Sequence, residues 1–322
     1  MRFIFIIITL VATLCSCGRS EYRRTAGAVW GTAYHITYNS DRDLDDSVVA
    51  EMRRVELSLS AFDAESTVSR INRGETDSTD RMFAEVFELS RQISSLSGGA
   101  FDPTVAPLVN LWGFGYRDNG GQMPDSAAVA RALKGVGIAR CSIAGGRVIK
   151  ADSTTEFDFS AIAKGYGVDR VADVLRRNGC KDFMVEIGGE VVTAGVNPHG
   201  EIWRIAVDAP LNSNPGDSTI QVLSLSNAAV ATSGNYRNYI DISPDSVIGH
   251  TIDPRTGYPA VRSTLSATVI APTCALADAL ATACMVTDSR TAVAMADSLD
   301  GVRVILTCRD ADGRWVITDS ER

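Results

Sequence analysis

The sequence predicts one α+β domain with mixed sheets and packed helices, preceded by an export signal. Segments with helical and strand-like patterns follow one another without the regular βαβ alternation of a doubly wound sheet. No repeat or linker divides residues 28–322, and the composition, 45% hydrophobic and 22% charged, is typical of a globular chain. The net charge of −8 comes without a basic cluster, so we do not expect nucleic acid as a partner.

The N-terminus predicts export and a lipid anchor. An apolar run at 3–14 follows Arg2; it is too short to span a bilayer and is typical of a secretory signal. The run ends in Leu-Cys-Ser-Cys, which resembles the lipobox of bacterial lipoproteins. This resemblance implies a lipoprotein signal peptide at 1–16, lipids on Cys17 and a lipidated tether at 17–27. It places the protein in the bacterial cell envelope, anchored to a membrane and facing the periplasm. An ordinary signal peptide cleaved near the same point is the alternative.

The later cysteines predict no disulfide framework, although export would permit one. They are odd in number and form neither a CxxC motif nor a zinc spacing. Most lie in apolar runs, which predicts small buried thiols at Cys141, Cys180, Cys274, Cys284 and Cys308.

In the first half of the chain, the spacing of apolar residues defines the elements in order. Residues 30–38 alternate and are rich in β-branched and aromatic residues, which predicts a strand. Apolar residues at helical spacing predict helices over 45–59 and 81–96, the second ended by two glycines, and a short helix over 125–133. A hairpin turned at a glycine pair is predicted over 142–150.

In the second half, a short predicted strand at 155–159 precedes a helix that Ser160 caps and that ends near 178. Further helices are predicted around Asp278 and over 290–299. Strand-like segments and a closing hairpin follow, in order, at 182–187, 190–196, 203–207, 220–225, 239–242, 265–270, 302–307 and 315–318.

Asp278 and Thr282 form the first candidate site. They stand four residues apart in an otherwise apolar helix, so a carboxylate and a hydroxyl share one face among small side chains. A buried carboxylate is unfavourable without compensation, and Mg²⁺, which prefers oxygen ligands, would compensate it. The alternative is a polar stripe that faces water.

Lys164 belongs to the second candidate site. The segment 157–160 ends a predicted strand with an acid and a cap, and the following helix opens with small residues and this lysine. Free amides at a helix N-terminus attract phosphate, and the lysine adds a positive charge. A capped helix with a solvated lysine is the alternative.

Three other segments carry weaker signals. The glycine pair before Glu190 could let a ligand approach the backbone, or could be a plain turn. His250 lies among the turn residues of 249–257, where it could move protons or form a structural hydrogen bond. The stretch 99–115 is rich in aromatic residues and glycine, and could stack on a flat heterocycle or belong to the core.

In this combination and order, the segments resemble the ApbE family, the FAD:protein FMN transferases. The matching motifs are Gly31-Thr32; Ala100-Phe101-Asp102-Pro103-Thr104 through Trp112-Gly113-Phe114-Gly115; Asp158 through Lys164-Gly165-Tyr166; Ile187-Gly188-Gly189-Glu190; Thr232-Ser233-Gly234; His250 through Asp253-Pro254 with Thr256-Gly257; and Ala277-Asp278-Ala279-Leu280-Ala281-Thr282. The resemblance implies a single α+β domain of the T-fold-like ApbE type, with FAD as substrate and Mg²⁺ as cofactor.

The resemblance also implies roles for individual residues. Asp278 and Thr282 match metal ligands, and Ala161 matches a position that supplies a backbone carbonyl. His250 matches a histidine near the reacting pyrophosphate, and with Lys164 it is the expected catalytic pair. The positions expected to contact FAD are Trp30, Phe62, Ala100, Phe101, Asp102, Asp158, Lys164, Ser233 and Ile252.

Two of these positions depart from the family pattern. Trp30 replaces a frequent methionine, and Phe62 replaces a frequent tyrosine. Both changes keep apolar bulk near the flavin, but the tyrosine hydroxyl is lost. The balance between transfer and hydrolysis is therefore open.

The implied reaction is phosphoryl transfer. A threonine or serine hydroxyl of a target flavoprotein attacks the FMN-side phosphorus of FAD, AMP leaves, and FMN is held by a phosphoester bond. By analogy the acceptor is a flavoprotein subunit of a membrane redox complex, such as a sodium-pumping NADH:quinone oxidoreductase. The alternatives are a Mg²⁺-dependent FAD pyrophosphatase and a flavin-binding lipoprotein without catalytic activity.

Overall fold

The computed structural model describes residues 21–209, 219–234, 239–243, 246–310, 312 and 314–320. Its helices are α1 (Asp45–Leu59), α2 (Thr67–Asn72), α3 (Arg81–Leu96), α4 (Ala106–Leu111), α5 (Ser126–Leu133), α6 (Ser160–Arg177), α7 (Cys274–Val286) and α8 (Ser289–Asp297). Its strands are β1 (Tyr22–Val29), β2 (Thr32–Asn39), β3 (Cys141–Ala144), β4 (Arg147–Lys150), β5 (Phe183–Ile187), β6 (Glu190–Ala194), β7 (Trp203–Asp208), β8 (Thr219–Leu225), β9 (Ala228–Gly234), β10 (Tyr239–Ser243), β11 (Ser246–Gly249), β12 (Thr264–Ala271), β13 (Arg303–Arg309) and β14 (Trp315–Asp319).

An eight-stranded sheet organises the domain, in the order β1-β2-β5-β6-β9-β12-β13-β14. Each neighbouring pair in it is antiparallel. The prediction of a single α+β domain is confirmed, with the refinement that the named strands pair only antiparallel in the described residues.

Helices α6 and α7 lie side by side on one face of this sheet, α6 over β5 and β6 and α7 over β9 and β12. Successive strand residues point to opposite faces, so Val192 packs under the helices whereas Val191 packs beneath the β7–β8 hairpin on the other face. The two helices approach closely at Gly165, where a Cβ atom would lie 2.3 Å from the carbonyl oxygen of Cys274. Only glycine fits at this crossing.

Several sequence predictions are confirmed at or within a few residues of their bounds. These are the helices over 45–59, 81–96 and 125–133 and the hairpin over 142–150. All five cysteines in the described residues are free and buried, as predicted. Within the same residues, none of the helices combines the length and hydropathy that a membrane span needs.

The predicted strand at 155–159 is wrong, because a side chain takes the place of a neighbouring strand. The side-chain amide of Asn72 accepts from the N–H of Phe157 and donates to its carbonyl oxygen, both at 2.8 Å. Only Glu156 forms a bridge, to Val105. The predicted cap is also wrong, because Ser160 is the first helical residue and follows Phe159 at the cap position.

The predicted tether at 17–27 is wrong for residues 22–27. These residues form most of β1, which pairs along its whole length with β2. The predicted signal peptide at 1–16, Cys17 and residues 18–20 lie outside the described residues.

Candidate active site

Asp278 joins α7 to the first turns of α6. Its side chain is buried, and Oδ2 accepts a hydrogen bond of 2.9 Å from the N–H of Gly165. Burial raises the pKa of this carboxyl, and the Lys164 ammonium and the Gly165 N–H oppose the shift. The alternative of a stripe that faces water is therefore wrong for Asp278, which is only 4% exposed.

The hydrogen bond between Asp278 and Gly165 affects the hydrogen bonding of the Ala161 carbonyl oxygen. In a regular helix the N–H of a residue points to the carbonyl four residues earlier, which here is Ala161. The Asp278 carboxylate competes for that donor. This competition increases the availability of the Ala161 carbonyl oxygen for another ligand.

Thr282 lies one turn further along α7 and faces the end of β9. Its Oγ1 is 3.3 Å from Oγ of Ser233. A carboxylate, two hydroxyls and the Ala161 carbonyl thus offer only oxygen atoms, which suits Mg²⁺. No group of three or more His, Cys, Asp or Glu side chains is assembled in the described residues.

Lys164 is held by Glu190, which sequence reasoning did not include among the site residues. Its Nζ donates to Oε1 of Glu190 at 2.5 Å. The lysine side chain is 37% exposed, whereas that of Glu190 is 3% exposed. Burial raises the pKa of Glu190 to about 7, although Lys164 opposes this shift. The glycine pair before Glu190 was the available signal, since both glycines have positive φ, as a tight turn requires.

Trp30 lies against the same part of α6. It forms the β1–β2 turn with Gly31, and both residues have positive φ, 50° and 75°. A Cβ atom at Gly167 would lie 2.1 Å from the far edge of the Trp30 indole, so the ring packs directly on the helix. Its Nε1 is buried and has no hydrogen-bond partner among the described residues.

His250 and Ile252 belong to a second group, built on α4. The His250 ring is 6.3 Å from that of Phe114, measured between centroids. Ile252 is buried with Trp112, whose Nε1 donates to the carbonyl of Gly257 at 2.8 Å. The stretch 99–115 and the loop 249–257 are therefore one packed unit, and the core interpretation holds for Trp112.

Three of the residues expected to contact FAD are buried in the structure. Ala100 and Phe101 are 1% and 3% exposed. Both carboxylate oxygens of Asp102 accept internal hydrogen bonds, Oδ1 from Thr104 and Oδ2 from the N–H of Ile138. These hydrogen bonds show that Asp102 holds this loop in place.

The remaining two expected FAD contacts differ in exposure. Asp158 is buried, and its Oδ1 accepts from the N–H of Ser160 at 2.8 Å, so it orders the start of α6. Phe62 is 68% exposed, and its ring meets that of Tyr116 edge-on with centroids 6.2 Å apart. The Tyr116 hydroxyl donates to Glu156. An exposed aromatic face such as Phe62 is suited to stacking on a flat ring.

This fold is shared with flavin transferases of known structure. The chain is 32% identical to the flavin transferase ApbE from Vibrio cholerae, with a TM-score of 0.83 over 93% of this chain and 97% of that chain. It is also 32% identical to the apo form of the flavinyl transferase ApbE from Pseudomonas stutzeri. The TM-score is 0.83 over 94% of this chain and 95% of that chain.

Sequence relatives agree with the structures. The FAD:protein FMN transferase of Vibrio cholerae is 33% identical over 97% of this chain and 96% of its own length. The FAD:protein FMN transferase of Haemophilus influenzae is 31% identical over 96% of this chain and 93% of its own length. The ApbE family profile matches residues 30–306. The chain belongs to the ApbE family.

Proposed function

We propose that the protein catalyses Mg²⁺-dependent transfer of the FMN part of FAD to a threonine or serine hydroxyl of a target flavoprotein, with release of AMP. The observation that carries the proposal is the convergence of Asp278 and Lys164 on one turn of α6. Asp278 reaches this turn through the N–H of Gly165, and Lys164 is fixed there by Glu190. Relatives that share nearly the whole chain bear the name FAD:protein FMN transferase.

The oxygen ligands suit a cation beside a pyrophosphate. Asp278, Thr282 and the carbonyl of Ala161 would hold Mg²⁺, which when bound would neutralise and orient the phosphates. The Lys164 ammonium would stabilise charge on the phosphoryl oxygens, since phosphoryl transfer depends mainly on positioning and electrostatics. The N-terminal amides of α6 would add to this field.

The proposed step exchanges one P–O bond for another. The acceptor hydroxyl oxygen bonds to the FMN-side phosphorus while the bond from that phosphorus to the bridging oxygen breaks. AMP leaves with the bridging oxygen. The hydroxyl proton passes to His250 or to a group that His250 orients, as general-base catalysis requires.

Mass spectrometry tests the proposed reaction. The protein without residues 1–16 is incubated with FAD, Mg²⁺ and a threonine-containing flavoprotein domain of a membrane redox complex. We expect the acceptor to gain the mass of FMN minus water, and a Thr→Ala acceptor to gain nothing. Free FMN and AMP with an unmodified acceptor would instead indicate an FAD pyrophosphatase. Unchanged FAD would indicate a flavin-binding lipoprotein.

His250→Ala should slow turnover while FAD still binds. A positioned general base contributes roughly 10²- to 10⁴-fold to a rate, and we expect a loss in this range with the FAD Kd within about 3-fold of wild type. Flavin fluorescence measures binding, and AMP release measures the rate. His35→Ala is the matched control, because His35 is exposed and pairs with Glu186 on β5. A fall in binding alone would make His250 a binding residue.

We also propose that lipids on Cys17 anchor the protein to a membrane. The proposal rests on the sequence at 14–17, since Cys17 lies outside the described residues. Cys17→Ser should move the protein from the membrane fraction to the soluble fraction and abolish lipid labelling. Cys15→Ser, two residues earlier, should leave both unchanged. Continued labelling of Cys17→Ser would overturn the proposal.

A further inference from the structure

We infer that Glu190 is a positioning residue of the proposed reaction, which holds the Lys164 ammonium in place. The inference rests on the proposed function for the role of Lys164.

The two partners differ in how firmly the fold holds them. Glu190 is the first residue of β6, pairs with Ile187 across the hairpin and has a buried side chain. The Lys164 ammonium lies at the end of a flexible four-carbon side chain, and this side chain is 37% exposed. The 2.5 Å contact therefore fixes the lysine to the sheet, rather than the carboxylate to the helix.

Two carboxylates act on the Lys164 ammonium, but they do so differently. The carboxylates of Asp278 and Glu190 both attract the Lys164 ammonium and raise its pKa against the effect of burial. Of these two carboxylates, Glu190 accepts the hydrogen bond from Nζ. The geometry of this hydrogen bond therefore sets the position of the ammonium.

The second oxygen of Glu190 supports a role for its negative charge. Oε2 is buried and has no hydrogen-bond partner among the described residues. A buried unsatisfied carboxylate oxygen is unfavourable. A glutamine could make the same contact through its carbonyl oxygen with a smaller desolvation penalty. Glu190→Gln therefore tests whether the charge, and not only the contact, positions Lys164.

The first test is independent of activity. The sequence contains four lysines, Lys134, Lys150, Lys164 and Lys181. Reductive ¹³C-dimethylation of their side-chain amines therefore gives a simple NMR spectrum, and Lys→Arg variants assign its resonances. Glu190→Gln should lower the pKa of Lys164 and shift its resonance while the other lysines stay unchanged. Glu186→Gln is the matched control, since Glu186 lies on the other strand of the hairpin and accepts from Gly189. An unchanged Lys164 resonance in Glu190→Gln would overturn the inference.

The second test is a double-mutant cycle on FAD turnover. If Glu190 acts through Lys164, Glu190→Gln should lower kcat about 10- to 100-fold with KM within about 3-fold, and should change the rate of Lys164→Ala by less than about 3-fold. Thermal unfolding checks that each variant is folded. The inference on Glu190 would be overturned if Glu190→Gln turned over FAD like wild type, or if the rate losses of the two single variants multiplied in the double variant. Neither result would affect the proposed function. A wild-type protein that leaves FAD intact would instead overturn the proposed function.

Discussion

Replacing Asp278 by alanine should abolish Mg²⁺-dependent turnover of FAD. Two effects combine in this variant. The only carboxylate assigned to the cation is lost, and the N–H of Gly165 loses its acceptor at the crossing of the two helices. Removing metal catalysis worth several kcal/mol corresponds to a fall of at least about 10³-fold in rate. AMP release at saturating FAD, measured across a Mg²⁺ titration, provides the check.

Asp278→Asn separates the two effects. The asparagine can still accept from Gly165 through its side-chain oxygen, so the helix crossing persists, but the negative charge is gone. We expect Asp278→Asn to fold like wild type, with a thermal unfolding midpoint within a few degrees of the wild-type value. It should lose turnover as completely as Asp278→Ala. Undiminished activity in either variant would remove Asp278 from the metal site.

Gly165→Ala should destabilise the domain and damage the site together. The added Cβ atom would lie 2.3 Å from the carbonyl oxygen of Cys274 and 2.8 Å from Cβ of Asp278, so the helices must separate. Alanine gains about 1 kcal/mol of helix propensity over glycine, but forcing atoms into a packed contact costs about 1–3 kcal/mol and occasionally more. Because one of the opposing atoms belongs to the backbone, we expect a packing cost at the upper end of that range, about 3 kcal/mol. After the gain in helix propensity, the net loss is about 2 kcal/mol. Denaturant unfolding measures it.

Gly167→Ala, two residues along α6, is the matched control. Its Cβ atom would meet the far edge of the Trp30 ring, a side chain that can move, rather than backbone. This variant should be clearly more stable than Gly165→Ala. A Gly165→Ala protein as stable and as active as wild type would mean that the close crossing is not needed.

The parts of the fold that follow from local pattern were predictable. The helix over 81–96 has apolar residues at helical spacing and an acid at its cap, Asp80, and no distant contact is needed to define it. Asp278 and Thr282 share a helix face for the same reason of periodicity. Their joint position in the site could therefore be predicted without the structure.

The elements that were missed depend on distant partners or on an atypical composition. Asn72 occupies the hydrogen-bonding groups of Phe157 from 85 residues away, which no local pattern signals. Strand β9 is rich in small residues, and β1 is polar, so neither resembles a typical strand. The pairing of Glu190 with Lys164 spans 26 residues and requires the tertiary fold.

If Cys17 carries lipids as proposed, the early start of β1 limits how far the enzyme can work from a membrane. Only five Cα–Cα steps separate Cys17 from Tyr22, the first residue of the sheet. At no more than about 3.6 Å per residue, this segment spans at most roughly 18 Å. An edge of the catalytic domain would then stay next to the lipid headgroups. Acceptor hydroxyls exposed close to the bilayer would be within reach, and a freely diffusing acceptor protein would gain access only by approaching that surface.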